Sequence, residues 1–166
     1  MTKRILHKIY VKILTLSGLA VDISSTNKGP GAILSNFTEN HFIFDGIACG
    51  GMEGFLQSLK HEAQEKQLKV CALYGVRAKR KGTYRWKETQ TVFWKGRKID
   101  RHGEEFQQLV RQAYQAMFDQ CPKFRNALAA TGKKKLFHSM GKTDPRTTIL
   151  TEKEFCDLLT EQRERL

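Results

Sequence analysis

At Gly50-Gly51 the hydrophobic period of the chain changes, and this change limits the folds open to it. Upstream, apolar residues alternate. Ile5, His7, Ile9, Val11 and Ile13 interleave with Leu6, Lys8, Tyr10, Lys12 and Leu14, the two-residue period of a strand. A second strand is expected over Leu19 to Ile23. Ser24 to Gly31 then forms a loop rich in Ser, Asn, Gly and Pro. Phe42-Ile43-Phe44, Asp45-Gly46 and Ile47 to Cys49 have the pattern of a β-hairpin. Downstream, Met52, Phe55, Leu56, Leu59 and Ala63 follow the spacing of an amphipathic helix.

Three further helices are expected. One runs from Glu104 to about Asp119, with Phe106, Leu109, Val110, Ala113 and Met117 on one face. Pro122 suits the first turn of another, which Gly132 ends. Thr151 and Glu154 form a capping box ahead of Phe155, Leu158 and Leu159. Strands first and helices later, without βαβ alternation, predict an α+β fold. A length of 166 residues predicts one domain over 1–166.

Composition removes several classes. Hydrophobic residues make up 40%, too many for a disordered chain. No apolar run approaches the roughly 18–20 residues that span a bilayer. His7, Lys8 and Lys12 interrupt any signal-peptide core. No membrane partner is therefore expected. Cys49, Cys71, Cys121 and Cys156 form no CxxC pair, and the five histidines are dispersed. Free thiols, no metal site, no cofactor and a cytoplasmic setting are expected.

Lys and Arg total 29 against 17 Asp and Glu, a formal charge of +12, which points to a polyanionic partner. Between Arg77 and Arg101 lie ten cations and two acids, Glu88 and Asp100, so this window supplies +8. Tyr84, Trp86, Phe93 and Trp94 are interleaved with the cations. Cations mixed with aromatics suit a groove that tracks a nucleic-acid backbone, with Arg77, Lys79, Arg80, Lys81 and Arg85 as its contacts. A solvated basic surface has the same pattern. Gly141-Lys142-Thr143 resembles the end of a P-loop, but the glycine required at position 136 is Leu136, which excludes an NTPase.

On the first helix, Glu53, Gln57 and Lys60 fall within roughly 60° of one another, about 110° from the centre of the apolar stripe. A carboxylate, an amide and an ammonium thus point the same way. From spacing alone, an ordinary solvated ladder is the reading such a line first suggests. Gly54 costs helix stability, so close approach of another group is expected there.

This segment, Met52 to Lys60, resembles the E-x-x-x-Q-x-x-K helix of the NADAR family, also called YbiA-like. Gly31 to Phe37 resembles the family's LSNF signature. Lys123 to Leu128 with Thr131-Gly132 resembles its K-F-x-x-x-L…T-G stretch. The likeness covers roughly residues 15 to 165. In place of a D-x-x-W-G segment, this chain has His138 to Asp144 and carries Trp94-Lys95-Gly96. In this it resembles the subgroup found in bacterial and phage conflict systems.

The resemblance implies a YbiA-like fold and N-glycosidase activity. One branch of the family cleaves a ribosylamino-pyrimidine of riboflavin synthesis; another removes ADP-ribose from guanine in DNA. It implies a toxin–antitoxin or phage-defence setting and, as ligand, ADP-ribosylated DNA or an ADP-ribose or ribose-phosphate compound. Glu53 would be the acid/base or charge-stabilising carboxylate, Lys60 the nucleophile or phosphate contact, and Gln57 the ribose-orienting amide. Asn36, Phe37, Trp94, Gly141, Lys142 and Asp144 would line the ligand site. The charge distribution favours the DNA branch. The metabolic glycosidase and a non-catalytic nucleic-acid-binding module are the alternatives.

Overall fold

A computed structural model describes residues 2–166. In chain order its elements are α1 (Lys3–Leu16), β1 (Ala20–Asp22), α2 (Pro30–Ile33), β2 (Phe42–Phe44), β3 (Ile47–Cys49), α3 (Met52–Ser58), α4 (Gln64–Cys71), α5 (Gly75–Lys79), α6 (Trp86–Thr89), β4 (Thr91–Trp94), β5 (Arg97–Asp100), α7 (Glu104–Gln120), α8 (Pro122–Ala130), β6 (Lys135–Phe137) and α9 (Glu152–Arg163). The strands form three two-stranded ladders. β2–β3 is the expected hairpin, pairing Phe42 with Cys49 and Phe44 with Ile47 across the Asp45-Gly46 turn. β4–β5 is a second hairpin. β1 pairs in parallel with β6, Val21 opposite Leu136, which brings the two ends of the fold together.

The α+β architecture stands, but the first element is a helix, not the strand expected over Ile5 to Leu14. That run carries apolar residues at both two-residue and three-to-four-residue spacings, and at 14 residues it is long for a strand. Val11, with Leu14 beside it, packs inward onto Ala20 and Phe137, and His7 and Tyr10 set ring edges against Phe137.

The main core gathers around α7, whose Phe106, Leu109, Val110, Ala113, Tyr114, Met117 and Phe118 are buried. Phe44, Phe55 and Trp94 pack as an aromatic cluster on one side of it. α9 begins at the expected capping box: Thr151 Oγ1 accepts from the Glu154 backbone N–H, and the Glu154 carboxylate accepts from that of Thr151.

α3 is anchored on every side. It is shorter than its apolar spacing predicts, ending at Ser58, so Leu59 caps it and Lys60 lies in the following turn. A Cβ at position 54 would overlap the carbonyl oxygens of Cys71 and Leu73, so backbone packs where the glycine leaves room. Gly54 thus serves helix-to-backbone packing.

Candidate active site

On the Glu53–Gln57–Lys60 line, the first two residues are buried and Lys60 is half-buried. Glu53 is 5% and Gln57 1% exposed. Its members form one hydrogen-bonded row. The Lys60 ammonium donates to Gln57 Oε1 at 2.7 Å, and Gln57 Nε2 donates to Glu53 Oε1 at 2.7 Å. The Lys79 ammonium, from α5, reaches the same Glu53 oxygen at 3.2 Å. α3 supplies the spacing, but burial comes from the segment that follows α5. A Cβ on Gly82 would collide with Gln57 Oε1, and the Lys81 carbonyl accepts from His61 Nε2 at 2.7 Å. The segment after α5 therefore lies across the middle of the row, with Gly82 over Gln57 and beside the Lys60 ammonium.

The two ends of the row open into different cavities. Glu53 and Lys79 line one of about 420 Å³. Lys60 lines another of about 440 Å³, with His61, Lys66, Arg85 and Trp86. The buried Gln57 separates them. Burial pushes the Lys60 amine down to about 8, the Lys79 ammonium adds to the effect, and the Glu53 carboxylate opposes it.

The Glu53 cavity draws on segments far apart in the chain, from Ser24 to Phe155. The turn after α2 contributes Ser35, Asn36 and Phe37; the loop after β1 contributes Ser24, Ser25 and Thr26. Asn36 is tied in twice. Its carbonyl accepts from the Glu53 backbone N–H at 3.0 Å, and its side-chain Oδ1 accepts from the buried Tyr114 hydroxyl at 2.6 Å. With Oδ1 engaged, the amide NH₂ is left to face a ligand. Phe37 stands beside Lys79, whose ammonium is 6.0 Å from its ring centre. Across the cavity, Gly141 and Lys142 line the wall with His138 and Phe155. His138 Nδ1 lies 2.7 Å from the Ile23 carbonyl, so in the neutral ring Nδ1 holds the proton and Nε2 is the free acceptor.

Two residues expected at the ligand site lie outside this cavity. Trp94 is 0% exposed and belongs to the core, stacked on Phe44, with its indole N–H donating to Asp45 Oδ2 at 3.0 Å. Its alternation in β4 turns it inward. Asp144 is exposed and outside the cavity lining; its carboxylate accepts from the Arg146 N–H and shapes the local turn.

The basic window also divides. Lys95, Arg97, Lys98 and Arg101 are paired with Asp45, Glu105, Glu62 and Glu154, all carboxylates from outside the window. Arg101 is 1% exposed. Arg77, Arg80, Lys81 and Arg85 are exposed, on or beside the segment that covers the row. Lys79 belongs to the row itself.

Sequence reasoning missed His138, Tyr114 and the place of Lys79 in the site. His138 and Tyr114 are isolated in sequence, and no spacing links them to Glu53. Only the charge run marked Lys79.

A family model described as bacteriophage protein GP30.3 matches residues 28–164. A 17.1 kDa protein of the Gp30-rIII intergenic region of Enterobacteria phage T4 is 38% identical over 149 residues, which cover 88% of this chain and 98% of that protein. The NMR structure of the E. coli protein YbiA matches with a TM-score of 0.56 at 17% identity, over 89% of this chain and 86% of that one. The two chains share a fold. Among the described residues, no helix is long and apolar enough to cross a membrane.

Proposed function

This chain belongs to the bacteriophage GP30.3 protein family and has the YbiA fold, and from that premise we propose that it is an N-glycosidase that removes ADP-ribose from guanine in DNA. The observation that carries the reading is a buried carboxylate, Glu53, fixed by two donors at the wall of a cavity that Asn36 and Phe37 also line.

The chemistry follows from the bond to be broken. The electron pair between the ribose anomeric carbon and the exocyclic nitrogen leaves with nitrogen, which takes up a proton. Positive charge develops at the sugar carbon, and water supplies the oxygen that completes the ribose hydroxyl. Glu53 places a negative charge beside that carbon, where a low-dielectric site makes it most effective. Lys79 is a proton-bearing group on the same wall. In this reading the Asn36 amide holds the ribose and Phe37 stacks on a ring. In the closed arrangement, Lys60 acts through Gln57 by holding the amide that holds Glu53. Arg77, Arg80, Lys81 and Arg85 supply an exposed cationic border for a DNA backbone.

The test is to incubate the purified protein with ADP-ribosylated DNA and, separately, with a ribosylamino-pyrimidine phosphate. Release of ADP-ribose is expected from the first. Release of ribose phosphate from the second alone would assign the metabolic reaction, and no release from either would leave a binding module. Glu53→Gln should lower turnover at least about a hundredfold; near-normal activity in the folded variant refutes its role. A borohydride-trapped adduct on Lys60 would show direct attack by the amine and replace the indirect role given to it. Reversing charge at Arg80, Lys81 and Arg85 should weaken DNA binding and flatten its salt dependence.

A further inference from the structure

The outer face of α1 is uncovered. Ile5, Leu6, Ile9, Tyr10, Ile13 and Leu16 are 44–78% exposed. At 100° per residue they occupy a continuous arc of roughly 140°. Leu19, just past the helix end, is 63% exposed and extends the surface. The opposite side of the helix rests on the small cluster of Val11, Leu14, Ala20 and Phe137. α1 is therefore a ridge standing out from the fold, not a wall of a groove.

The charges on this helix have one sign. α1 contains Lys3, Arg4, Lys8 and Lys12 and no Asp or Glu. Among the described residues none of the four is paired with a carboxylate. On the helical wheel, Lys12 and Lys8 border one edge of the apolar arc and Lys3 the other. Cations at the edges with aliphatic side chains between them form the layout of a helix lying in a lipid–water interface. The apolar side chains enter the acyl boundary, and the ammonium groups stay at the headgroups.

We propose that α1 docks this protein on an anionic membrane surface. A second copy is the poorer occupant. Apposed α1 helices offer only cations to each other, and each chain carries +12. A bilayer with acidic headgroups meets both features at once, the continuous apolar arc and the uniform charge at its edges. The proposal is independent of the glycosidase reading. It departs from the expectation, drawn from the lack of a spanning segment, that no membrane is engaged. An interfacial helix needs no such segment.

The experiment is flotation of the full chain with vesicles of phosphatidylcholine alone or with about one-quarter phosphatidylglycerol. Binding to the second and not the first is expected. Ile9→Lys with Ile13→Lys adds positive charge while removing apolar surface, at positions exposed enough to leave the fold and melting temperature intact. Partitioning should fall on the order of a hundredfold, about tenfold for each isoleucine withdrawn from the interface. Equal or tighter binding by this variant would mean that charge alone holds the protein, and the proposal fails. Tyr10→Trp gives a second measurement: its emission should shift to the blue on adding anionic vesicles, and no shift overturns the inference. Also fatal would be a dimer in sedimentation that the Ile9/Ile13 variant dissociates, or binding of an acidic amphipathic peptide without any binding of vesicles.

Discussion

The titration of Lys60 tests the buried row directly. Its amine is pushed down from the ordinary 10.5 to about 8. Burial is the largest cause, Lys79 the next, and Glu53 acts in the opposite sense. Replacing each neighbour must therefore move Lys60 in opposite directions. Glu53→Gln removes the attraction and should lower it further; Lys79→Met removes the repulsion and should raise it, by the larger amount. Two 2.7 Å hydrogen bonds through Gln57 put the Glu53 carboxylate roughly 6 Å from the ammonium. At an effective dielectric of about 20 that interaction is on the order of 1–3 kcal/mol, or about one to two pH units. The assay is competitive acylation across pH, with Lys60 followed by mass spectrometry in the folded wild type and both variants. The stability of the fold reports the same group. Because the folded-state value lies below the unfolded one, the unfolded chain binds the extra proton between about pH 8 and 10.5. Stability should rise with pH through that window, by on the order of 2–3 kcal/mol. In Lys60→Met this rise should disappear. A wild-type Lys60 that titrates near 10.5, or neighbours that shift it in the same direction, would refute the closed, buried row.

Three further outcomes follow from single contacts. Burial alone would raise the Glu154 carboxyl, but the Arg101 guanidinium, with Thr151 and Gln107, outweighs it and holds the group down to about 2. Its stabilising share, about 3 kcal/mol, is complete above pH 4.5 and is lost as pH falls toward 2. Glu154→Gln, which leaves the buried Arg101 without its counter-charge, should cost about 3–5 kcal/mol at neutral pH in urea unfolding, and an unchanged midpoint contradicts the pairing. Tyr114→Phe removes the hydroxyl that fixes Asn36. It should raise KM severalfold, while Tm falls by only a few degrees because the ring still packs. Trp94→Phe should lower stability by about 1–3 kcal/mol through lost volume and the stranded Asp45 contact. Its turnover per folded molecule should match wild type; a selective loss of ligand binding would return Trp94 to the site.

Local chemistry made much of this protein legible in its sequence. The Asp45-Gly46 hairpin, the proline-started α8 and the capping box of α9 each depend on neighbours within a few residues, so a turn or cap reveals them. Glu53 and Gln57 were legible for the same reason, since 3.6 residues per turn places them in line, whereas Lys60 joins the row from the turn after α3, where its N–H donates to the Gln57 carbonyl. Periodicity failed at α1, where one apolar run suits two periods and only the absence of a long partner strand decides between them. The basic–aromatic pattern did not place Trp94, because an aromatic beside cations looks the same in sequence whether it faces solvent or Phe44.

The sequence by itself determined the α+β class, the register of the polar row and an excess of positive charge. Tertiary structure decided what each of these is for. It covered the middle of the row with Gly82, opened its two ends into separate cavities, and spent the cations of residues 95–101 on carboxylates elsewhere in the fold. It also brought Asn36 and His138 to one cavity from distant parts of the chain, with the buried Tyr114 holding Asn36 from the core side. Periodicity and capping act over a few residues, whereas burial, ion pairing and cavity walls depend on which distant segments meet.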